Sequence, residues 1–484
     1  MVNSMSNQSQ IHETPAHALI EKIWAHHIEP ALHDYIRIPN VSEAFDARWD
    51  EHGYMQSAVE LIRRWCAGRP ITGLTVDVHE LRGRTPLIVM EIPAANGGSN
   101  DDTVLLYGHL DKQPEMTGWR EGLGPWTPVV EDGRLYGRGG ADDGYSAFAS
   151  LAAIEVAQAT GMPHNRCVVL IEASEESGSP DLPAHLVALR DRIGTPSLVL
   201  CLDSGCLDDA HLWVTTSLRG LAACTLTVKI LTEGVHSGEA SGIVPSSFRI
   251  LRVLLDRLED SATGRVLLPE LHVDIPANRI REAADTAAEF GEPLSTHLPF
   301  VGGARPVVED GAAQLLAHTW HPTLCITGVA GVPDVSIAGN VLRPFTSLQL
   351  SFRLPPTCDD EAAMVAIEKA LKGPAPYNAE VVVTGLHSGP GWNAPPFAPW
   401  LQQAMETASI EYFGQPSRAF GEGGTIPFMG MLAKMFPDAQ FVITGVLGPG
   451  SNAHGPNEYL DLVAARKVTG CLARIMASHA TRSK

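Results

Sequence analysis

Five short stretches carry His, Asp or Glu between residues 108 and 455: Gly108-His109-Leu110-Asp111, Gly139-Gly140-Ala141-Asp142-Asp143, Glu175-Glu176-Ser177-Gly178, Leu202-Asp203-Ser204-Gly205 and Ala453-His454-Gly455. Each follows or interrupts an apolar run that reads as a strand. Each therefore places an imidazole or a carboxylate at a strand end or on the loop beyond it. In parallel sheets, ligand sites gather at the carboxyl ends of strands. Imidazole and carboxylate are donors that zinc accepts, and a carboxylate shared by two ions is a device of hydrolases.

Each stretch has a bland reading as well as a chemical one. Asp111 is two residues from His109, so its carboxylate can take the proton of the second ring nitrogen and fix the tautomer; the same spacing also makes a polar turn. Asp142 and Asp143 follow the glycine-rich turn Gly137-Arg138-Gly139-Gly140. Adjacent carboxylates repel unless a cation or donors offset them, and one of them could bridge two zinc ions ~3.5–4 Å apart. Alternatively, Asp143 caps the helix that starts near Ser146. Of Glu175 and Glu176, one can bind metal while its neighbour acts as general base, or both can lie on a solvated turn. Asp203 closes the strand Ser197 to Leu202, and His454 sits in a Gly- and Pro-rich loop after the last apolar run. Four strand ends and one glycine loop carrying the same kinds of atom make coincidence a poor account. His109, Asp142, Glu176, Asp203 and His454 would give each of two zinc ions a neutral His, a shared Asp and one further carboxylate.

The elements that must position these groups follow from periodicity. Thr14-Pro15 opens a helix expected to run to about Ile36, and Tyr54 to Ala67 reads as a second. Strands are expected over Leu74 to Leu81, Pro86 to Ile92, Thr103 to Tyr107, Cys167 to Ile171, Ser197 to Leu202 and Phe441 to Val446. The Ala-rich stretch Ser146 to Thr160 reads as a helix. Thr103-Val104-Leu105-Leu106-Tyr107 is apolar almost throughout, as in a strand covered on both faces. This alternation indicates an α/β sheet covered by helices. The pattern changes near Leu218. A long alternating strand, Leu221 to Leu231, precedes a helix over Val244 to Leu258. A strand pair over Pro333 to Ile337 and Thr346 to Arg353 follows, then a helix over Asp359 to Leu371 and a strand over Ala379 to Thr384. This reads as an α+β module inserted into the first domain, with Gly385 to Pro396 as the return hinge. The expected division is 1–217 and 389–484 for the first domain, with 218–388 inserted.

Composition narrows the function further. The chain has 484 residues, too many for one ordinary core. It is 44% hydrophobic and 19% charged, as globular proteins are, and its net charge of -20 argues against a nucleic-acid partner. No apolar run approaches the ~18 residues of a membrane span, and the polar stretch Met1 to Glu13 does not read as a secretory signal. Eight cysteines are spread singly, which suggests a reduced, cytoplasmic protein.

With these residues in place, the chain resembles the di-zinc exopeptidases that include carnosinase-like dipeptidases, acetylornithine deacetylase and succinyl-diaminopimelate desuccinylase. The resemblance rests on Gly108-His109-Leu110-Asp111, Gly137-Arg138-Gly139 with Asp142-Asp143, and Glu175-Glu176-Ser177-Gly178. It covers roughly Leu81 to Met476. Tyr107 to Pro114 and Trp126-Thr127-Pro128 lean towards the dipeptidase branch. The resemblance implies a zinc-peptidase catalytic domain, with a mixed, largely parallel sheet covered by helices, and an inserted α+β lid and dimerisation domain. It implies that His109 and His454 are terminal zinc ligands, that Asp142 bridges both ions and its bond to Asp143 is cis, and that Glu176 and Asp203 complete the ligand set. Glu175 becomes the general base, taking a proton from a metal-bridging water to leave the attacking hydroxide, and Asp111 orients His109.

Gly234-Val235-His236-Ser237-Gly238 resembles the motif whose His polarises the scissile carbonyl in the partner subunit's site. Asn340 and Arg353 match substrate-binding lid positions, and an Arg fork suits a terminal carboxylate. Gly424 and Thr425, in Glu422-Gly423-Gly424-Thr425, resemble the glycine loop that faces the substrate carboxylate. The chain departs from the family pattern at Gly421, where Arg is usual, and at Gly144, where Lys is common. The expectation is a homodimeric dipeptidase or related exopeptidase with two zinc ions per subunit, for which manganese or cobalt could substitute. An amidohydrolase acting on N-acyl amino acids would use the same ligands. An inactive binding protein on this fold should lack a ligand or the base, and none is missing.

Overall fold

The computed structural model describes residues 14–424 and 426–483. The polar stretch Met1 to Glu13, on which the secretory-signal reading falls, lies outside the described residues, as does Thr425. Thr14 accepts a hydrogen bond from the main chain of His17, whose ring returns to Thr14, and this capping box starts helix α1 (Pro15–Ile23). The single helix expected from Pro15 to Ile36 contains a π turn at Trp24–Ile28 before α2 (Glu29–Ile36). Pro30 has no N–H to give the turn before it, and its ring crowds that carbonyl, so the ladder shifts register there. Trp24, Ile28, Leu32, Tyr35 and Ile36 are nevertheless all buried. Helix α3 (Tyr54–Ala67) follows.

The first unit is built on a mixed sheet. Its strands are β1 (Thr75–His79), β2 (Leu87–Ile92), β3 (Thr103–His109), β4 (Arg166–Glu172), β5 (Pro196–Cys201) and β6 (Trp213–Leu218). The second unit holds β7 (Gly220–Lys229), β8 (Val235–His236), β9 (Thr323–Ala330), β10 (Val341–Leu342), β11 (Phe345–Leu354) and β12 (Glu380–Gly389). The chain then returns to the first sheet as β13 (Gln440–Ile443). The order across that sheet is β1-β2-β4-β3-β5-β13-β6. β4, β3, β5 and β13 run parallel, while β1, β2 and β6 pair antiparallel at the flanks. Every residue of β3 is buried. Helix α4 (Tyr145–Ala159) is buried from Tyr145 through Ala157, because its alanines let it lie between β3 and the helix Leu462–Thr481.

Contacts divide the chain into two compact units, Thr216–Asn393 with Gly421–Gly430 and the remainder. In the second unit, β9-β11-β7-β12 form an antiparallel sheet. Ala222, Cys224, Leu226 and Val228 on one face of β7 pack with Ile250 and Leu254 of the helix Ser247–Leu255 and with Ile367 and Leu371 of the helix Asp360–Lys372. Each large apolar side chain so buried contributes about 1.5–3 kcal/mol.

Two expectations in this unit fail. Pro333 to Ile337 is not a strand: Val335–Ile337 is a 3₁₀ turn capped by the Asp334 carboxylate, which accepts from Ser336 N at 2.8 Å. Pro333 offers no ladder donor and Asp334 satisfies its own turn, so local bonding wins. The partner of β11 is instead β9, an edge strand whose alternation is blurred by a register shift between Ile326 and Gly328. The segment read as a hinge from Gly385 continues β12 to Gly389, with an irregularity between Thr384 and His387 where Gly385 takes φ +61°. No helix among the described residues is long and apolar enough to cross a membrane.

Candidate metal centre

Three parallel neighbours bring the first ligands together. β3 ends at His109, opposite Glu172 of β4, and Tyr107 lies opposite Cys201 of β5. The end of β3 and the loops beyond β4 and β5 therefore present His109, Glu175 and Asp203 side by side. Asp142 arrives from Gly140–Gly144, a tight segment before α4 that leaves helical geometry at Asp142 and Asp143, and the bond between those two is cis. Gly108 permits the approach: a Cβ there would lie 2.0 Å from Ser146 Oγ and 2.6 Å from Asp143 Oδ2. The main chain of His109 donates to Asp143 Oδ2 at 3.2 Å.

Asp142 stands between two imidazoles. Its Oδ1 is 3.3 Å from His109 Nε2, and its Oδ2 is 3.1 Å from His454 Nε2. His109 Nε2 is also 3.8 Å from Asp203 Oδ2, and His454 Nε2 is 3.3 Å from Glu176 Oε2. The His109 Nε2 atom is buried and has no hydrogen-bond partner. Donor atoms of His109, Asp142 and Glu176 lie within 4.8 Å of one another, and so do those of His109, Glu175 and Asp203. An orphaned imidazole nitrogen among converging carboxylates fits a divalent cation in both chemistry and spacing.

The electrostatics carry the same message. Burial and the Asp142 charge push Glu176 up to about 8, and burial and Asp203 push Glu175 and Asp143 well above the usual carboxylate range. Burial opposes charge on His109, yet Asp203, Asp111 and Asp142 together raise it well above the ordinary imidazole value. Burial alone would raise Asp142, but the His109 and His454 imidazoles on either side of it hold it low. Protons alone neutralise this cluster only by occupying carboxylates; cations do so while leaving them ionised.

A supporting shell aims these ligands. Asp111 accepts the main-chain N–H of Glu175 at 3.1 Å and of Glu176 at 3.0 Å. Its carboxylate is 3.4 Å from His109 Nδ1, while its carbonyl lies closer, at 3.1 Å. Gln113 Nε2 donates to Glu176 Oε2 at 2.6 Å. Tyr35 Oη and Asn40 Nδ2 each donate to the carbonyl of Leu110 at 2.6 Å, and Lys112 Nζ donates to the carbonyls of Tyr35 and Ile38 at 2.8 Å. Ser42 and Ser177 share a hydroxyl contact of 2.5 Å. The Gly144 departure has a reason here: a Cβ at Gly144 would fall 2.2 Å from Tyr35 Cε1 and 2.6 Å from the Gly139 carbonyl. Sequence reading passed over Tyr35, Asn40, Ser42 and Gln113. Gln113 stood inside a motif already singled out, whereas nothing local to the others ties them to residues seventy or more positions away.

The remaining candidates belong to the second unit. The exposed His236 ends strand β8, paired with Val341 of β10, and Ser237 N donates to the carbonyl of Asn340 at 2.9 Å. Arg353 lies on β11 opposite Thr323 and Leu221. The carbonyl of Gly424 accepts from Arg219 N at 3.1 Å, and that of Gly423 from Arg219 Nε at 2.9 Å. Gly423 lies against the His318 ring, which a Cβ would meet at 2.2 Å. Burial, with Arg219 and Arg353, holds His318 down at about 4. Arg219 and His318 were not legible as partners of the glycine loop.

Paired histidines about a shared carboxylate, at the ends of parallel strands, define a metal-dependent hydrolase. Residues 105–478 match the model of peptidase family M20/M25/M40, and the chain belongs to that family. It is 30% identical over 373 residues to the cysteinylglycine-S-conjugate dipeptidase of Corynebacterium striatum, covering 74% of this chain and 77% of that one. It is 27% identical over 404 residues to the Beta-Ala-His dipeptidase of Mus musculus, covering 79% and 77%. Among solved structures, the dipeptidase Dug1p from Saccharomyces cerevisiae superposes with a TM-score of 0.78 at 21% identity, over 97% of this chain and 98% of that one. Human carnosine dipeptidase 1 gives 0.74 at 20% identity, over 96% and 99%. At these identities the two structures speak for the fold.

Proposed function

We propose that this chain is a dipeptidase that hydrolyses the amide bond of dipeptides or short peptides with two zinc ions per subunit, which manganese or cobalt could replace. The observation that carries the reading is Asp142, whose two carboxylate oxygens face different histidines, at 3.3 Å and 3.1 Å. A carboxylate so placed suits a bridge, with His109 and Asp203 serving one ion and His454 and Glu176 the other. The ions supply Lewis acidity that activates water near neutral pH and polarises the scissile carbonyl.

Glu175 then serves as general base and acid: it takes the proton of the attacking water and returns it to the leaving amine. Asp111 accepts this glutamate's main-chain N–H and so holds it on the loop, while its carboxylate lies beside His109 and Asp203. In the second unit, Arg353, Asn340 and the Gly424-Thr425 loop bind the substrate's terminal carboxylate, and His236 polarises the carbonyl in the site of a second copy. Homodimerisation through this unit is supported by the exposed apolar residues Ile326 and Val329 on edge strand β9, and Val335 and Ile337 beyond it. Eight free cysteines suit a reducing cytoplasm.

The decisive experiment is Glu175→Gln, because Glu175 also lies within reach of the ion that His109 and Asp203 would hold. As base, its loss should leave both ions bound and lower kcat by about 10²–10⁴. Loss of one ion would make Glu175 a ligand and overturn the assigned role. A panel of dipeptides and N-acetyl or N-succinyl amino acids separates peptidase from deacylase activity.

A further inference from the structure

The two histidines of the centre are held very differently. His109 lies on a strand, fully buried, with its ring fixed at Nδ1. His454 lies on a loop, at φ +64°, with 57% of its side chain exposed. Burial therefore does little to order it, and a ligand that must be ordered on binding costs affinity.

What orders its main chain is a fully buried ion pair. Arg138 Nη1 donates to Glu458 Oε2 at 2.6 Å, and the two side chains are 1% and 0% exposed. Arg138 Nη2 donates to the carbonyls of His454 at 3.0 Å and Gly455 at 2.8 Å, and Nε to the carbonyl of Pro114 at 3.2 Å. Glu458 Oε1 accepts from Gly139 N at 2.9 Å, and the Glu458 carbonyl accepts from Gly137 N at 3.0 Å. Residues separated by more than three hundred positions thus become one piece: the turn that carries Asp142, the loop that carries His454, and the segment beyond Gln113. None of these bonds reaches His109 or Asp203.

Resting on the two-ion reading above, we propose that Arg138 and Glu458 are positioning residues chiefly for the metal position served by His454 and Glu176: they hold the His454 loop directly, whereas Asp142, which faces both positions, is also tied to β3 through Asp143, whose carboxylate accepts from His109 N. A planar guanidinium is required, because four acceptors in different directions are satisfied at once; an ammonium offers a single point.

The test is a zinc titration against a chelator of known affinity, on wild type, Arg138→Lys, the double variant Arg138→Met/Glu458→Leu, and His454→Ala. The double variant removes both charges together, so it avoids leaving one buried and unpaired, the usual cause of misfolding at such sites. Wild type should take up two zinc ions. In Arg138→Lys and the double variant, one ion should bind within about threefold of wild type, and the other should weaken about 10–100-fold, the usual effect of removing a group that orients a ligand. His454→Ala should lose the same step, and adding Arg138→Lys to it should cause little further change. Equal weakening of both ions, or no weakening of either, in a variant that melts cooperatively overturns the proposal. A wild type that binds fewer than two ions instead removes the two-ion reading on which it rests.

Discussion

Gly144 offers a sharp check on how the N-terminal helix reaches the metal centre. In Gly144→Ala the new Cβ would lie 2.2 Å from Tyr35 Cε1, 2.8 Å from Tyr35 Cζ and 2.6 Å from the carbonyl oxygen of Gly139. Relief requires a movement of more than 1 Å, since ordinary carbon contacts begin near about 3.5 Å. The ring cannot give freely: Tyr35 is fully buried, its hydroxyl is bonded to the Leu110 carbonyl, and Lys112 Nζ sits 3.9 Å from its ring centroid. Overpacking of this kind costs about 1–3 kcal/mol. Displacing the ring also loses a hydrogen bond of about 1 kcal/mol. Replacing glycine in a helix-like conformation (φ -54°, ψ -23°) returns about 0.5–1 kcal/mol. The net loss is about 2 kcal/mol, or roughly 3 °C in Tm for a unit of about 300 residues. Thermal melts of metal-loaded protein, followed by circular dichroism, measure it. Because the clash is with Tyr35, Tyr35→Leu should cost at least about 1 kcal/mol less in the Gly144→Ala background than in wild type. An unchanged Tm, or additive single effects, would refute the reasoning that Tyr35 claims the space at Gly144.

Other outcomes follow from the same geometry. Gln113→Leu removes the 2.6 Å bond to Glu176 and should weaken metal binding about tenfold with little change in Tm, measured by chelator competition. Metal-stripped protein should lose stability as pH rises from about 6.5 to about 9, the direction in which protons leave the folded cluster. His454, raised to about 9, and Glu176, raised to about 8, both hold protons in the folded state that the unfolded chain has released, so stability is present at lower pH and lost through those values. Solvent screens part of the His454 contribution, because its side chain is more than half exposed. Melting the stripped protein between pH 6 and 9.5 tests this; a Tm that rises over that range would contradict it, and added zinc should flatten the slope.

Much of the fold is legible from the chain because its central strands are apolar throughout and its helices are bounded by Pro, Thr and Asp caps. Tyr54–Ala67 appears where periodicity puts it, and the helix expected over Asp359 to Leu371 spans Asp360–Lys372. Elements fail where tertiary pairing overrides a weak local pattern. β9 shows exposed Cys325 and Ile326 and earns its place only through β11, while Pro333 to Ile337 looks apolar yet satisfies its own turn. The π turn at Trp24–Ile28 departs from the unbroken helix expected to Ile36, with Pro30 as its local cause.

The sequence by itself determined which chemistry was available: two imidazoles and a set of carboxylates, each beside a strand end, with the glycines that close approach requires. Donor type and strand-end position are local properties, so short motifs carry them. Only the tertiary structure decided how those atoms face one another. It put Asp142 between His109 and His454, set Asp111 beneath both glutamates, and closed the Arg138–Glu458 pair across more than three hundred residues. Those relations depend on distances between chain segments that no local pattern encodes, and they exist only once the sheet has brought its strand ends to one edge.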